Sequence, residues 1–231
     1  MGATIECRRT SPPERRSRPP ILTARTRPTP LTIVNVGYRS TNFWVVSAGR
    51  SRLLVDLGWP GMVDDLLHTL QRADIPLAEV THGFATHYHI DHAGAAQDLK
   101  ERGMTLVVWE QQVEAIAAMK RHIKPADHYT AIVPAGNVVK RCEESRAWLA
   151  TLGIAGEVVP TPGHSDDSVS LVLDSGECFT GDLTMEMMVG EEDARVVAAS
   201  WARLRALGAR MVHAGHGRPY PMPAALESTD G

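Results

Sequence analysis

The sequence predicts a mixed α/β fold that forms one domain over most of the chain. Its 231 residues suit a single large α/β unit. The composition, 43% hydrophobic and 22% charged, is typical of a folded globular protein. Short apolar runs typical of strands alternate along the chain with segments whose apolar residues recur at helical spacing. This alternation predicts sheets with helices packed on them.

The first half begins with three predicted strands, at residues 31–36, 42–47 and 52–56, that form an antiparallel meander. Residues 62–72 carry apolar side chains at helical spacing and predict a helix. Residues 80–85 form a predicted strand that leads directly into a histidine-rich segment. A helix at 93–102, a strand at 105–109 and a helix at 110–119 are expected to follow.

The second half repeats the alternation after a less regular segment, residues 120–141, that is interrupted by Pro125 and Pro134. A helix is predicted at 143–152, with Gly153 as its stop signal. The remaining predicted elements are strands at 157–159, 169–173 and 178–181, a helix at 191–207 and a strand at 210–213. The expected domain covers residues 31–220, with a short C-terminal tail at 221–231.

Residues 1–30 differ from the rest of the chain because they contain seven arginines and six prolines. This segment carries a net charge of +5. Because the whole chain carries −3, residues 31–231 carry −8. A composition with so little apolar surface predicts a disordered leader, although a basic arm for an anionic surface remains an alternative. It lacks the apolar stretch of a secretory signal. The acidic body argues against nucleic acid as a main partner.

Cys7, Cys142 and Cys178 are far apart in the sequence and form neither a disulfide framework nor a paired-cysteine metal motif. Such cysteine usage is typical of a reducing compartment, and a cytoplasmic location is expected. The chain has no run of about 18 apolar residues, so no membrane span is expected. The sequence leaves the oligomeric state open.

Four potential metal ligands, His87, His89, Asp91 and His92, lie within six residues. Imidazole and carboxylate groups are costly to bury unpaired, so this density is difficult to explain by core packing. Both are common metal ligands. In extended backbone, His87 and His89 project to the same side. Three further candidates each follow a predicted strand closely, where loops of α/β folds collect functional groups: His164, Asp182 and His216. The sequence therefore predicts metal-assisted chemistry.

The segment from Thr86 to Gly94, Thr-His-Tyr-His-Ile-Asp-His-Ala-Gly, resembles the metal loop of the metallo-β-lactamase superfamily. Four further motifs resemble that family in the same order: Val55-Asp56-Leu57-Gly58, Thr161-Pro162-Gly163-His164-Ser165, Thr180-Gly181-Asp182 and Ala214-Gly215-His216-Gly217. The resemblance covers about residues 31–217. It implies a four-layer αβ/βα sandwich, which is more specific than the mixed α/β fold that periodicity alone supports.

The resemblance also implies two divalent metal ions, with zinc expected and iron or manganese as alternatives. By this analogy Asp182 bridges the two ions, and Asp56 orients the histidine loop without binding an ion itself. The ligands of the first ion would be His87, His89 and His164, and those of the second would be Asp91, His92 and His216.

The implied activity is metal-dependent hydrolysis of a small-molecule ester, lactone, thioester or phosphodiester by a hydroxide that bridges the two ions. Asp91 is the expected catalytic residue, because it can hold the hydroxide and transfer its proton to the leaving group. A β-lactam substrate is not expected, since Asp182 stands where many zinc β-lactamases carry cysteine. Only 15 residues follow His216, which argues against the glutathione-binding region of glyoxalase II.

Two alternatives remain open at this stage. One is a mononuclear non-haem iron oxygenase that resembles persulfide dioxygenases, with its iron held by His87, His164 and Asp182. The other is a catalytically idle domain that only binds metal or a partner.

Several other polar residues have lesser expected roles. Asp166 and Asp167 are expected to be turn or capping residues, and Tyr88 could face either the pocket or the core. Five more histidines complete the set. His68, His82 and His213 are expected to be structural. His122 and His128 lie with Tyr129 in the irregular insert, which could cover the metal site and supply substrate contacts.

Overall fold

The computed structural model describes residues 1–2, 30–49, 51–190 and 192–225. The predicted Arg/Pro-rich leader therefore lies almost entirely outside the described residues. The described part forms two sheets, one from each half of the chain. The strands of the first sheet, in spatial order, are β1 (Thr32–Asn35), β2 (Trp44–Ser47), β3 (Arg52–Val55), β4 (Val80–Phe84), β5 (Thr105–Trp109) and β6 (Val138–Lys140). Those of the second are β11 (Tyr220–Pro221), β10 (Met211–Ala214), β9 (Glu177–Gly181), β8 (Val169–Leu173) and β7 (Gly156–Pro160).

Both sheets are mixed. In the first sheet β1, β2 and β3 pair antiparallel, as the predicted meander requires, and β3 to β6 pair parallel. In the second sheet only β9 and β10 pair parallel among the described strands. The helices are α1 (Val63–Arg72), α2 (Ile90–Ala93), α3 (Ala96–Glu101), α4 (Val113–Met119), α5 (Ser145–Thr151) and α6 (Ala194–Ala206).

Three clusters of buried side chains define four layers. Neighbouring strand residues point to opposite faces, so Leu54 packs against α1 while Leu53 packs toward the second sheet. Leu171 of β8 lies in that same middle cluster between the sheets. On the far side, Val212 of β10 packs against Trp201 of α6. Strands that are buried on both faces explain the continuous apolar runs in the sequence. The αβ/βα sandwich is confirmed.

Local differences from the prediction have identifiable causes. The helix predicted at 93–102 is divided into α2 and α3, because the Leu57 amide donates to the His92 carbonyl at 2.6 Å and removes it from the helical ladder. Residues 110–112 form a 3₁₀ turn before α4. The strands β6 and β11 were not predicted, since each is only two or three residues long. Ordered structure also continues to Pro221 and the partly buried Met222.

No helix among the residues that the structure describes combines the length and apolar character needed to cross a bilayer.

Candidate metal centre

The segment that follows β4 carries four of the seven predicted ligands. His87 and His89 lie on the loop directly after the strand, while Asp91 and His92 lie in the single turn of α2. The loop is extended at His89, where φ is −97° and ψ is 159°. Extended backbone places His87 and His89 on one side, and the following turn then brings Asp91 and His92 toward the same point.

The other three predicted ligands come from the second sheet. His164 lies in the loop between β7 and β8, Asp182 directly follows β9, and His216 follows β10. Because β9 and β10 are parallel neighbours, their carboxyl ends meet at one edge. This edge adjoins the first sheet, where the Asn42 amide, just before β2, donates to the Gly215 carbonyl at 2.7 Å. It also faces the histidine segment, since Asp182 Oδ1 lies 3.4 Å from Nε2 of His92.

The structure brings all seven predicted ligands together, in two groups that could each hold a metal ion. Within each group, one donor atom from every residue lies within 4.8 Å of the others. The first group is His87, His89 and His164, and the second is Asp91, His92, Asp182 and His216. The grouping differs from the predicted one only in that Asp182 is placed with the second group.

Asp182 nevertheless contacts both groups. Its Oδ1 atom is 3.4 Å from Nε2 of His92, and its Oδ2 atom is 3.2 Å from Nε2 of His216. Oδ2 is also 3.8 Å from Nε2 of His164, which belongs to the first group. The carboxylate therefore lies between the groups, which is the position that a bridging ligand would need.

The spacing of the donor atoms fits divalent metal binding. Two ligands on a tetrahedral zinc ion, at bond lengths of about 2.05 Å, would be about 3.3 Å apart. Nδ1 of His89 and Nε2 of His164 are 3.0 Å apart, and Oδ2 of Asp91 is 3.4 Å from Nε2 of both His92 and His216. Of the buried side-chain atoms without a hydrogen-bond partner in the described part of the chain, three belong to the donor groups, although such atoms are normally satisfied: His87 Nε2, His92 Nε2 and Asp182 Oδ1.

Asp56, which lies just beyond β3, fixes the orientation of two of these imidazoles. Its Oδ1 accepts the Thr86 amide at 2.7 Å and the Thr86 hydroxyl at 2.9 Å, and its Oδ2 is 2.9 Å from Nδ1 of His92. Since the Thr86 hydroxyl donates to Asp56, Nδ1–H of His87 must donate to that hydroxyl, 3.1 Å away. Both histidines therefore direct Nε2 toward the candidate metal positions.

Two further contacts hold the second group. Nδ1 of His216 lies 2.6 Å from the Ser40 carbonyl, so it donates there and leaves Nε2 free for a metal ion. The buried Thr41 hydroxyl donates to Oδ2 of Asp91 at 3.2 Å and accepts the Trp59 indole N–H at 3.1 Å. Neither Ser40 nor Thr41 was predicted, because nothing in the sequence relates them to ligands 176 and 50 positions away.

Two glycines allow the close approach of backbone to these side chains. A Cβ atom at Gly215 would overlap Oδ1 of Asp182 and lie 2.6 Å from Cε1 of His92. A Cβ atom at Gly181, where φ is +53°, would overlap the Thr86 hydroxyl. Glycine is therefore required at the carboxyl end of β9 and just beyond β10.

The ionisable side chains of the candidate metal centre differ in pKa because of burial and neighbouring charges. Burial lowers the pKa of His87 well below its ordinary value, and the neighbouring His92 adds to this. Burial also opposes protonation of His92, but Asp56, Asp182 and Asp91 outweigh it and raise the pKa of that imidazole well above its ordinary value. For Asp91 and Asp182, burial raises the pKa, but hydrogen bonding to His92 and its charge lower both to about 2. Both carboxylates are therefore ionised near neutral pH.

Asp167 has a larger role than the turn or cap expected from the sequence. It is buried, and its Oδ2 accepts the Tyr88 amide of the histidine loop at 2.8 Å. The buried Gln112 side chain donates to the carbonyls of Ala85, Thr86 and Asp167. These contacts hold the histidine loop to the second half of the chain. Asp166 is exposed, as expected for a turn residue.

Tyr88, which the sequence left undecided, packs in the core on the helical side and also lines a cavity of about 530 Å³ together with His89. Burial raises the pKa of its phenol. His122 from the irregular insert lines that cavity too. The remaining histidines lie outside both donor groups: His68 is exposed on α1, His128 is exposed in the irregular insert, His82 contacts Thr81, and His213 contacts Glu177.

Two sheets packed between helices, with histidine and aspartate side chains from both sheets that could hold metal ions at one edge, define an αβ/βα sandwich with a candidate metal centre. The family comparison agrees. Residues 36–216 match the family described as the metallo-beta-lactamase superfamily, and the chain belongs to that superfamily. Its members are largely hydrolytic enzymes, and the predicted family is confirmed.

The chain is 28% identical over 188 residues to an atrochrysone carboxyl ACP thioesterase of Aspergillus fumigatus, covering 78% of this chain and 51% of that protein. It is 26% identical over 187 residues to a lactamase-like protein of Pestalotiopsis microspora, covering 78% and 50%. The chain thus spans about half the length of these curated relatives. A crystal structure of a metallo-beta-lactamase family protein from Thermus thermophilus shares the fold, with a TM-score of 0.64, 21% identity, and coverage of 83% of this chain and 75% of that one.

Proposed function

We propose that the chain is a hydrolase that uses two divalent metal ions, with zinc expected, to cleave a thioester or a related ester of a small molecule. The observation that carries the proposal is the pair of adjoining donor groups with the Asp182 carboxylate between them. His87 and His92 are buried, whereas His89, His164 and His216 are exposed. One side of each group is therefore open to a substrate, as a catalytic metal site requires.

Bound metal ions would polarise the target carbonyl and bring the pKa of a coordinated water close to neutral. The chain's own residues supply positioning and proton handling. Asp91 stays ionised, with Thr41 holding one of its oxygens, so it can accept a hydrogen bond from the attacking water and orient it. The same carboxylate would then carry the proton toward the leaving group.

A thioester suits these residues better than an alkyl ester. A carboxylate has an ordinary pKa of about 3.9, so Asp91 is a weak base that holds a proton only briefly. A thiol has a pKa of about 8.5, so a thiolate can leave with little protonation. The thioesterase names of the relatives from Aspergillus fumigatus and Passalora fulva support the same bond type. Lactones and phosphodiesters are less favoured members of the proposed substrate range.

Metal analysis and a substrate panel together test the proposal. Protein purified without added metal should contain, or take up, close to two divalent ions per chain, and should hydrolyse acyl thioesters. One iron per chain with oxygen uptake would replace the proposal by the oxygenase alternative. That alternative would use only His87, His164 and Asp182, and would leave the remaining four donors unexplained.

A further inference from the structure

A groove of about 480 Å³ begins at the candidate metal centre and runs along the segment after β9. Its inner end is formed by three donor residues, His164, Asp182 and His216. Its wall is formed mainly by Leu183, Met185, Met188 and Tyr220. We call the groove formed by this wall and this inner end the methionine groove. Since Leu183 directly follows Asp182, any molecule that reacts at the metal centre has this groove next to it.

Two adjacent methionines at the outer end are unusually exposed. Met187 retains 74% and Met188 retains 76% of its accessible surface. Contiguous exposed apolar surface rimmed by polar residues is typical of ligand-binding grooves. Only Met188 of the two lines the groove. Met187 is therefore a control position, because it is equally exposed but does not line the groove.

The exposure does not arise from a loosely held segment. The backbone of residues 186–188 forms a 3₁₀ turn, and the Glu186 carboxylate binds the Arg205 guanidinium of α6 through two contacts, of 2.9 and 3.0 Å. The Trp201 indole donates to the Thr184 carbonyl at 2.8 Å, and the Tyr220 hydroxyl donates to Sδ of Met185 at 3.4 Å. The segment is thus fixed to α6 while the Met188 side chain stays uncovered.

The chemistry of the wall selects the kind of group that fits. The nearby Glu186 charge is neutralised by Arg205, and the wall presents thioether and aliphatic surface. Methionine is flexible and polarisable, so it adapts to apolar groups of different shape. We propose that the methionine groove binds the apolar acyl portion of the substrate and makes acyl chain length a determinant of specificity. This inference rests on the proposed hydrolase function.

The test compares acyl thioesters of increasing length, from acetyl to octanoyl, with the metal-loaded protein. Burial of each methylene at about 0.8 kcal/mol corresponds to about a fourfold gain in kcat/KM, so kcat/KM should rise with each methylene that reaches the groove. Met188→Ser should lower the octanoyl-to-acetyl ratio of kcat/KM by about tenfold, mainly through KM, which is the low end for changing a hydrophobic contact. Met187→Ser should leave the ratio unchanged.

A binding measurement separates this inference from the proposed function. Calorimetry should show that octanoate binds more tightly than acetate, and that Met188→Ser but not Met187→Ser removes the difference. If no thioester is cleaved but this binding pattern holds, the groove assignment survives and the hydrolase proposal fails. A flat chain-length profile in the wild type, or equal effects of the two variants, would overturn the groove assignment. Melting temperature and metal content should match the wild type in both variants, since both side chains are exposed.

Discussion

Replacing Asp56 by asparagine changes a residue that touches no substrate but organises both donor groups. The carboxylate accepts three hydrogen bonds, two from Thr86 and one from Nδ1 of His92. Asparagine keeps the size, and it tolerates the left-handed backbone found here, where φ is +65°. Its single oxygen can continue to accept both Thr86 bonds. The amide nitrogen would then face Nδ1 of His92, and two donors would oppose each other.

The size of the effect follows from that one contact. A hydrogen bond to a charged group contributes about 1.5–3 kcal/mol. At about 1.4 kcal/mol for each factor of ten, affinity for the ion in the His92 group should fall about ten- to hundredfold. His92 can relieve the clash by moving its proton from Nδ1 to Nε2, but Nε2 is then unable to bind metal. Either outcome weakens the second group, while the group of His87, His89 and His164 keeps its Thr86 contacts.

Zinc titration of metal-free protein against a competing chelator measures this directly. We expect one tight site and one weakened site in Asp56→Asn. Asp166→Asn, the same chemical change at an exposed position, should keep both sites. The melting temperature of the metal-free variant checks that the fold survives. If Asp56→Asn bound two zinc ions with wild-type affinity, Asp56 would not orient His92 for metal binding, and the tautomer argument would be refuted.

Three further results are expected. Asp182→Asn keeps the shape of the side chain but removes its charge, so metal affinity and turnover should each fall at least about tenfold. Metal analysis and kinetics measure these two quantities. Full metal stoichiometry with full activity would exclude a bridging role for Asp182. In Asp167→Asn the side-chain oxygen can still accept the Tyr88 N–H, but a neutral oxygen is a weaker acceptor than a carboxylate, so the melting temperature should fall and zinc binding should weaken. Unchanged values, as for Asp166→Asn, would mean that the charge at Asp167 does not hold the loop. Because the pKa of His92 is raised in the metal-free protein, zinc binding should release a proton, and zinc affinity should increase as pH rises from about 6 to 8. Calorimetry in buffers of different ionisation enthalpy measures this proton. A zinc affinity that does not change with pH would contradict the prediction.

The seven donor residues that the structure brings together could be predicted from the sequence because their signals are local. His87, His89, Asp91 and His92 form one short string, and Asp182 stands directly after a predicted strand. The supporting residues are different. Asp167 contacts the Tyr88 amide across 79 positions, and Gln112 reaches carbonyls 26, 27 and 55 positions away. Such pairings depend on how the two halves pack.

The division of the helix after the histidine loop shows the same limit. Residues 93–102 have helical composition, and the break before α3 follows from a hydrogen bond to the loop after β3. The edge strand β6 was missed because three mostly exposed residues carry no alternating pattern. Local propensity fixes the identity of long elements, whereas contacts between distant segments decide where those elements end.

Each donor group contains residues from both halves of the chain. His164 joins His87 and His89, while Asp182 and His216 join Asp91 and His92. An ion in either group would therefore act as a removable cross-link between the two sheets. At a free metal concentration about a hundred times Kd, one such ion would add about 2.7 kcal/mol to the free energy of unfolding. The metal supply available to a cell would thus influence the lifetime of the folded chain as well as its chemistry, and starvation for metal would expose the seam between the sheets to proteases.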